Sequence, residues 1–244
     1  MSDFLPLEEQ ENSTGKAHRE KLRCAGVYMI TLSKIKKIPL SYGYIHFPGR
    51  MKKYERLNKN EDKLRCFGAG ALISRFVTRD EKSICFNRYG KPYAPAGPFF
   101  SISHSGDYVV LAVDTDREIG IDIQIMKESR LKAANKVFCT EEMRYLNCED
   151  EIRRFYTLWT LKESVMKYLG TGFALEPQSF SVLPLIEGKT LTKDDFSCDA
   201  RSEYPEVFSQ FTGKIYGKTV YHGDYTLSVV SGEKIPEDFL KVTG

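Results

Sequence analysis

The chain has 244 residues with 36 Lys and Arg against 33 Asp and Glu, which gives a formal net charge of +3. Hydrophobic residues make up 41% and aromatic residues 12%. This is ordinary globular composition and excludes collagen-like, low-complexity and wholly disordered chains. Every apolar run is shorter than the roughly 18 residues that a membrane span needs, so we expect no membrane partner. The net charge is too small to indicate by itself that the protein binds nucleic acid.

The beginning of the chain and the cysteines indicate a cellular compartment. Residues 1–22 are polar and charged, which predicts an N-terminal extension. They lack a basic segment followed by an apolar stretch, so no secretion signal is predicted. The six cysteines form no CxxC pair and no zinc-like Cys/His spacing. We therefore expect a cytoplasmic protein with reduced thiols.

The elements of an N-terminal half are predicted over residues 23–117. A β-like run covers 24–30. Residues 50–79 are basic at first and then carry apolar residues at spacings of three and four, which predicts a helix. A short strand is predicted at 83–86. The β-branched run at 108–113 is typical of a strand buried on both faces.

A C-terminal half is predicted over residues 118–244. It begins with a short strand at 119–123, and the tail from 178 is predicted to be mostly strand and loop. Helices are predicted between them, near 129–137, 140–148 and 150–169. The segment Gly106–Val113 resembles Gly223–Val230, which indicates two related α+β halves. Two such halves would enclose a cleft for a ligand.

The segment Trp159–Lys167 carries the first chemical signal. Trp159, Glu163 and Lys167 are four residues apart and share one helix face. An exposed Glu–Lys pair is the simplest interpretation. However, the helix is apolar over much of its girth, so we expect it to be largely buried. A buried carboxylate and ammonium need a metal, an anion or each other as partners.

A second signal lies in the strand at 119–123. Asp122 and Gln124 point to the same side because side chains alternate along a strand. An acid at the edge of a short apolar strand is a candidate Mg²⁺ ligand, since Mg²⁺ prefers hard oxygen donors. A turn-capping aspartate is the alternative.

Candidate anion-binding residues precede that strand. His104 lies between two serines and ahead of a glycine, an arrangement that can bind an anion, although a lone histidine is more often structural. Lys91 beside Pro92 is either a phosphate ligand or a solvated lysine. A basic stretch upstream is either a solvated helix face or a phosphate site, and it contains Arg50, Lys53 and Arg65.

In order and spacing, these motifs resemble the Sfp-type 4′-phosphopantetheinyl transferase family. The resemblance runs from about Gly26 to Val230, and its motifs are Gly90–Pro92 leading into Ile102–Gly106, then Ile119–Asp122, then Trp159–Lys167 in the form W-x-x-K-E-x-x-x-K. It implies an α+β fold of two similar halves related by pseudo-twofold symmetry, with the active site in the cleft between them. It also implies Mg²⁺-dependent transfer of phosphopantetheine from coenzyme A to a serine of an acyl or peptidyl carrier protein, releasing adenosine 3′,5′-bisphosphate.

The resemblance assigns a metal site to the C-terminal half. Asp122 and Glu163 would bind Mg²⁺ against the pyrophosphate, and Lys167 would neutralise the charge that builds there. Gln124 stands where the better-known bacterial members carry a glutamate as the third ligand. A neutral amide contributes less charge, so we expect weaker metal affinity rather than inactivity.

The resemblance also assigns the base and the coenzyme A contacts. Glu142 would take the proton of the carrier serine, with Glu141, Glu163 or water as alternatives. The N-terminal half would bind the nucleotide side of coenzyme A, with His104 at the 3′-phosphate. Its matching residues are Arg50, Lys53, Arg65, Lys91, Ser103 and His104.

The expected partner is a carrier protein with an acidic helix near its serine. A basic segment after the metal strand would steer it, although a solvated helix is equally consistent with the sequence. Its cations are Lys127, Arg130, Lys132 and Lys136, with Leu131 and Val137 as apolar contacts. A monomer is expected, since one chain supplies both halves. Two other functions stay open: a coenzyme A or nucleotide-binding module without transferase activity, and a basic RNA-binding protein.

Overall fold

The computed structural model describes residues 25–147, 149–211 and 213–240, so the predicted extension at 1–22 lies outside the described residues. The fold is mixed α/β, and its strands form two three-stranded antiparallel sheets and a short hairpin. The strands are β1 (Gly26–Thr31), β2 (Cys85–Phe86), β3 (Pro92–Tyr93), β4 (Phe99–Ser105), β5 (Tyr108–Asp114), β6 (Ile119–Ile125), β7 (Tyr216–His222) and β8 (Tyr225–Ser231).

The two larger sheets have matching topology. The first has the order β1-β5-β4 and the second the order β6-β8-β7. In each sheet the last strand in the chain lies in the centre and pairs antiparallel with both neighbours. The mixed α/β class and the strands predicted near 24–30, 83–86, 108–113 and 119–123 are confirmed.

The helices surround these sheets, and within the described residues none is long and apolar enough to span a bilayer. They are α1 (Leu32–Ile35), α2 (Leu40–His46), α3 (Pro48–Arg56), α4 (Asn60–Phe76), α5 (Ala134–Val137), α6 (Thr140–Leu146), α7 (Glu151–Leu169), α8 (Leu183–Ile186), α9 (Cys198–Glu203) and α10 (Pro205–Gln210). A 3-10 helix at Glu128–Ala133 precedes α5.

One prediction about the helices needs correction, and one needs an addition. The helix expected over 50–79 is divided, because Leu57 adopts an extended backbone and the acidic first turn of α4 favours a new helix start at Asn60. The tail from 178 is mostly strand and loop, as predicted, but it also contains the short helices α8, α9 and α10, which the sequence pattern did not predict. Ser197 caps α9 by accepting a hydrogen bond from the amide of Ala200, and Pro205 opens α10.

The hydrophobic core has three parts. One lies between the first sheet and α4, and another lies between the second sheet and α7 with its neighbouring helices. The third joins the inner faces of the two sheets, with Val27 and Val110 on one side and Ile121 and Val229 on the other. Burial of apolar surface between the two sheets therefore holds them together.

The sequence echo corresponds to two equivalent hairpin turns. Gly106 separates β4 from β5 with φ of +52°, and Gly223 separates β7 from β8 with φ of +57°. Each glycine and the aspartate that follows it form a two-residue turn. The first position of the turn requires a positive φ, which glycine tolerates. The rings of Tyr108 and Tyr225, which follow the two turns, lie 4.9 Å apart.

Candidate functional site

The candidate site begins at β6, whose alternation sends two sets of side chains in opposite directions. Ile121 and its neighbours at 119 and 123 face the other sheet, while Asp122 points to the other side. Gly120 allows α7 to pack closely here, because a Cβ at this position would lie 2.0 Å from the carbonyl oxygen of Ser164. Asp122 is only 2% exposed.

The helix α7 places the ammonium group of Lys167 beside the carboxylate of Asp122. Lys167 Nζ lies 2.6 Å from Asp122 Oδ1 and also donates to the carbonyl of Ile121 at 3.1 Å. Gly170, with φ of +74°, ends α7 just beyond Lys167. The predicted W-x-x-K-E-x-x-x-K helix and the predicted acidic strand thus meet in the fold.

Glu163 lies within electrostatic range of the same aspartate. Burial, as the larger cause, and the charge of Asp122 together raise the pKa of Glu163 to about 7, while Lys167 opposes the shift. Two carboxylates that repel each other form a donor set to which a divalent cation is suited, with water and phosphate oxygens as further ligands. Asp122 and Glu163 therefore suit the implied Mg²⁺.

The side-chain amide of Gln124 presents its nitrogen, and not its oxygen, to Asp122. Its Nε2 donates to Asp122 Oδ2 at 3.2 Å, and its Oε1 accepts a hydrogen bond from Ser105 at 3.4 Å. The amide would have to turn over to offer oxygen to a cation. Among the described residues, no group of three or more His, Cys, Asp or Glu side chains forms a metal site. In the part of the chain that the structure describes, the carboxylates that suit a cation at this place are therefore those of Asp122 and Glu163.

Three serines of β4 join the two halves at this point. Ser101, Ser103 and Ser105 accept hydrogen bonds from backbone amides of β6, at residues 121, 123 and 125, over 3.1, 3.4 and 3.0 Å. We call these three contacts the serine ladder. They continue along two strands that run in the same direction, and they replace the backbone hydrogen bonds of an ordinary sheet.

Ser103 also donates to Asp122 Oδ1 at 2.6 Å. A hydroxyl has one hydrogen, and that of Ser103 is engaged by Asp122 here; the contact of Ser103 with a phosphate of coenzyme A stays a prediction. The sequence analysis missed Ser101 and Ser105. Their alternation with Ser103 along a predicted strand was the signal that all three share one face.

His104 and Arg65 lie beside this cluster on the N-terminal half. Arg65 donates to the carbonyl of Gly106 at 2.7 Å and to Asp62 at 2.6 Å, and this bond lowers the pKa of Asp62. Partial desolvation by the surrounding protein lowers the pKa of His104, and repulsion from Arg65 and Lys167 lowers it further. The cations around His104 make this an attractive environment for an anion.

The other predicted phosphate ligands of this half lie on α3. Lys53 is exposed and Arg50 is half-buried. The backbone amides of Gly49 and Arg50 donate to the two oxygens of Glu81 at 2.6 and 2.7 Å. A carboxylate thus already fills the amide-rich end of α3, and a phosphate here would have to bind the side chains of Arg50 and Lys53.

Lys91 connects the two halves. Its ammonium forms an ion pair with Glu118 and donates to the carbonyl of Tyr168 at 3.2 Å. Burial lowers the pKa of Lys91, and Glu118 opposes this shift. Asn87 adds a second link by donating to the carbonyl of Gly170 at 2.8 Å. Glu118 was not anticipated from the sequence, since it lies 27 residues from Lys91.

Glu142 lies in the interior and not at the site. Its Oε2 is 2.9 Å from Lys162 Nζ, and both side chains are 0% exposed. Its oxygens accept hydrogen bonds from the amides of Cys139 at 3.1 Å and Val182 at 2.8 Å. Lys162 also donates to two backbone carbonyls, at 177 and 180. A fully buried carboxylate cannot reach the serine of a partner protein, so Glu142 does not suit the predicted role of base.

One residue of the predicted carrier-binding surface, Val137, is buried. Lys127, Lys132 and Lys136 are exposed, whereas Leu131 is half-buried. Val137 is 8% exposed and belongs to the core of the C-terminal half, so it is not available for a partner.

Comparison with known proteins shows what this chain is similar to. Residues 118–230, which contain Asp122, Glu163 and Lys167, match the family model of the 4′-phosphopantetheinyl transferase superfamily. The resemblance to the Sfp-type 4′-phosphopantetheinyl transferase family, predicted from the sequence, is confirmed by similarity to Sfp itself. Sfp of Bacillus subtilis (strain 168) is 36% identical over 146 residues, which cover 55% of this chain and 65% of Sfp.

Two further relatives are similar over about half of the chain. A 4′-phosphopantetheinyl transferase of Bacillus subtilis is 38% identical over 144 residues, covering 54% of this chain and 64% of the relative. The L-aminoadipate-semialdehyde dehydrogenase-phosphopantetheinyl transferase of Xenopus laevis is 33% identical over 144 residues, covering 48% of each chain. The match spans just under two thirds of the bacterial relatives.

Proposed function

We propose that this protein transfers 4′-phosphopantetheine from coenzyme A to a serine of an acyl or peptidyl carrier protein. The reaction depends on Mg²⁺ and releases adenosine 3′,5′-bisphosphate. The proposal includes a pseudo-twofold relation between the halves, with the active site between them. A cytoplasmic location and a monomeric state remain predictions from the sequence.

One observation carries the proposal. Asp122 on β6 and Glu163 on α7 are 41 positions apart in the chain, yet the charge of Asp122 contributes to raising the pKa of Glu163. A binding protein for coenzyme A would have no need for two mutually repelling carboxylates beside a diphosphate. A divalent cation between them removes that repulsion and binds phosphate oxygens. Relatives named as phosphopantetheinyl transferases support the same function.

The reaction joins an alcohol to a phosphorus atom that already carries negative charge. The serine oxygen forms a bond to the phosphorus next to pantetheine, and the bond from that phosphorus to the bridging oxygen breaks. Mg²⁺ bound by Asp122 and Glu163 would offset charge on the diphosphate. Lys167 Nζ adds a positive charge, and its contacts with Asp122 Oδ1 and the carbonyl of Ile121 hold it in place.

The proton of the serine moves to Glu163 or to water. With Glu142 buried, Glu163 is a carboxylate near Asp122 that could accept this proton, directly or through a water. Arg65 and His104 would bind phosphate of coenzyme A from the N-terminal half, with Arg50 and Lys53 extending the cationic surface. The exposed lysines that follow β6 would attract the acidic helix of the carrier.

The direct test weighs the carrier. An apo carrier protein is incubated with coenzyme A, MgCl₂ and the enzyme, and mass spectrometry measures the addition of one phosphopantetheine. We expect addition with the wild type and a loss of at least about a hundredfold in rate for Asp122→Asn. Glu233→Gln, which removes an exposed carboxylate elsewhere, is the matched control.

The same experiment distinguishes the alternatives. If several carriers gain no mass while calorimetry still detects coenzyme A binding, the protein is a binding module without transferase activity. A basic RNA-binding protein would instead bind RNA with salt-sensitive affinity that Asp122→Asn leaves intact.

A further inference from the structure

We propose that Ser103 is a positioning residue that locks one oxygen of Asp122 and leaves the other for the metal ion. This inference rests on the metal site of the proposed function. It concerns how a residue of the N-terminal half controls a ligand that belongs to the C-terminal half.

The direction of the Ser103 hydroxyl is fixed by its two partners. The amide of Ile123 donates to Ser103 Oγ at 3.4 Å, so a lone pair faces β6. Oγ lies 2.6 Å from Asp122 Oδ1, and a carboxylate oxygen can only accept. The hydroxyl hydrogen therefore points at Oδ1. Ser103 is 6% exposed, so bulk water competes little for this bond.

The two oxygens of Asp122 differ as a result. Oδ1 accepts from Ser103 at 2.6 Å and from Lys167 at 2.6 Å, which are two short charge-assisted bonds. Oδ2 accepts one longer bond of 3.2 Å from Gln124. Oδ2 is thus the less strongly bound oxygen. A cation that binds Oδ2 has to displace only the side-chain amide of Gln124.

The arrangement couples the metal site to the contact between the halves. The outer rungs of the serine ladder, at Ser101 and Ser105, hold β4 in register with β6 and so place Ser103 opposite Asp122. Groups that orient a metal ligand through a hydrogen bond change metal affinity by about 10–100-fold when they are removed. Without the hydroxyl of Ser103, the carboxylate of Asp122 can rotate about its side-chain bonds.

The experiment compares Ser103→Ala with Ser101→Ala. Both variants remove one hydroxyl that accepts a β6 amide, but only Ser103 contacts the carboxylate. Electron paramagnetic resonance of free Mn²⁺ measures the dissociation constant in the presence of coenzyme A, and thermal unfolding measures stability. We expect similar losses of stability in both variants. The Mn²⁺ dissociation constant should rise about tenfold for Ser103→Ala only, and Ser103→Thr should restore it.

Other results would overturn the inference. These are an unchanged Mn²⁺ affinity in Ser103→Ala, an equal loss in Ser101→Ala, or no Mn²⁺ binding by the wild type. The carrier assay is run separately on the wild type. If the wild type binds Mn²⁺ and transfers nothing, the proposed function fails, while the two serine variants still decide the role of Ser103.

Discussion

Replacement of Glu142 by glutamine tests whether this residue supports the fold or moves a proton. Its carboxylate is 2.9 Å from the ammonium of Lys162, and both are inaccessible to solvent. Glutamine keeps the shape and one acceptor oxygen but removes the charge. The ammonium then stays buried without a negatively charged partner, and its neutral acceptors include the carbonyls of Pro177 and Phe180 at 2.7 and 2.6 Å.

The expected loss follows from that environment. Removing one partner of a buried ion pair destabilises a protein by about 3–5 kcal/mol. The two remaining carbonyls favour the lower end, about 3 kcal/mol. For a chain of this length, about 1 kcal/mol lowers Tm by about 2–4 °C, so Tm should fall by about 6–12 °C. The double variant Glu142→Gln, Lys162→Met should lose less than the sum of the single variants, because no charge is left buried.

The assay combines thermal unfolding with the transfer rate well below Tm. We expect Glu142→Gln to lose stability and to retain kcat within about tenfold, since a missing general base lowers the rate by about 10²–10⁴-fold. Glu141→Gln, in the exposed neighbouring position, should change neither quantity. A loss of kcat beyond a hundredfold with an unchanged Tm would restore Glu142 as the base and refute this reasoning.

Three further predictions concern the metal site. Gly120→Ala should destabilise the protein by several kcal/mol and weaken Mn²⁺ binding, because the added Cβ would lie 2.0 Å from a carbonyl oxygen of α7. Gly26→Ala, whose Cβ would have its nearest neighbour at 3.9 Å, should fold normally, and equal effects in the two variants would contradict the packing argument. Because the pKa of Glu163 is about 7 rather than 4.5, the folded protein binds this proton more tightly than the unfolded chain. Metal-free stability should therefore fall as pH rises from about 4.5 to 7, while Mn²⁺ affinity rises about tenfold per pH unit and levels off above 7. A Mn²⁺ affinity that does not change with pH in that range would count against a raised pKa of Glu163. Gln124→Glu should lower the Mg²⁺ concentration that gives half-maximal rate, and a higher requirement would exclude Gln124 from the neighbourhood of the cation.

The secondary structure near the site was largely predictable. Residues 150–169 carry apolar side chains around most of the helix, and α7 occupies 151–169. The strands at 108–113 and 119–123 were also predictable, because short β-branched runs favour buried strands. Less was predictable between 178 and 210, where the helices are four to six residues long and depend on local caps.

The environment of individual charged residues was not predictable. Glu142 and Glu163 are both acids near apolar residues in the sequence, yet one is paired with Lys162 in the core and the other lies near Asp122. Lys91 likewise finds Glu118, which no periodicity relates to it. Partners of this kind lie far apart in the chain and are chosen by packing.

The sequence by itself determined the order of the chemical motifs and the faces on which they lie, because the periods of helix and strand are local properties of the backbone. This was enough to indicate the family and to select Asp122, Glu163 and Lys167. Only the tertiary structure decided which charges meet. The approach of α7 to β6 at Gly120 and the serine ladder between the halves depend on contacts between distant segments, and these contacts exist only once both sheets have packed together.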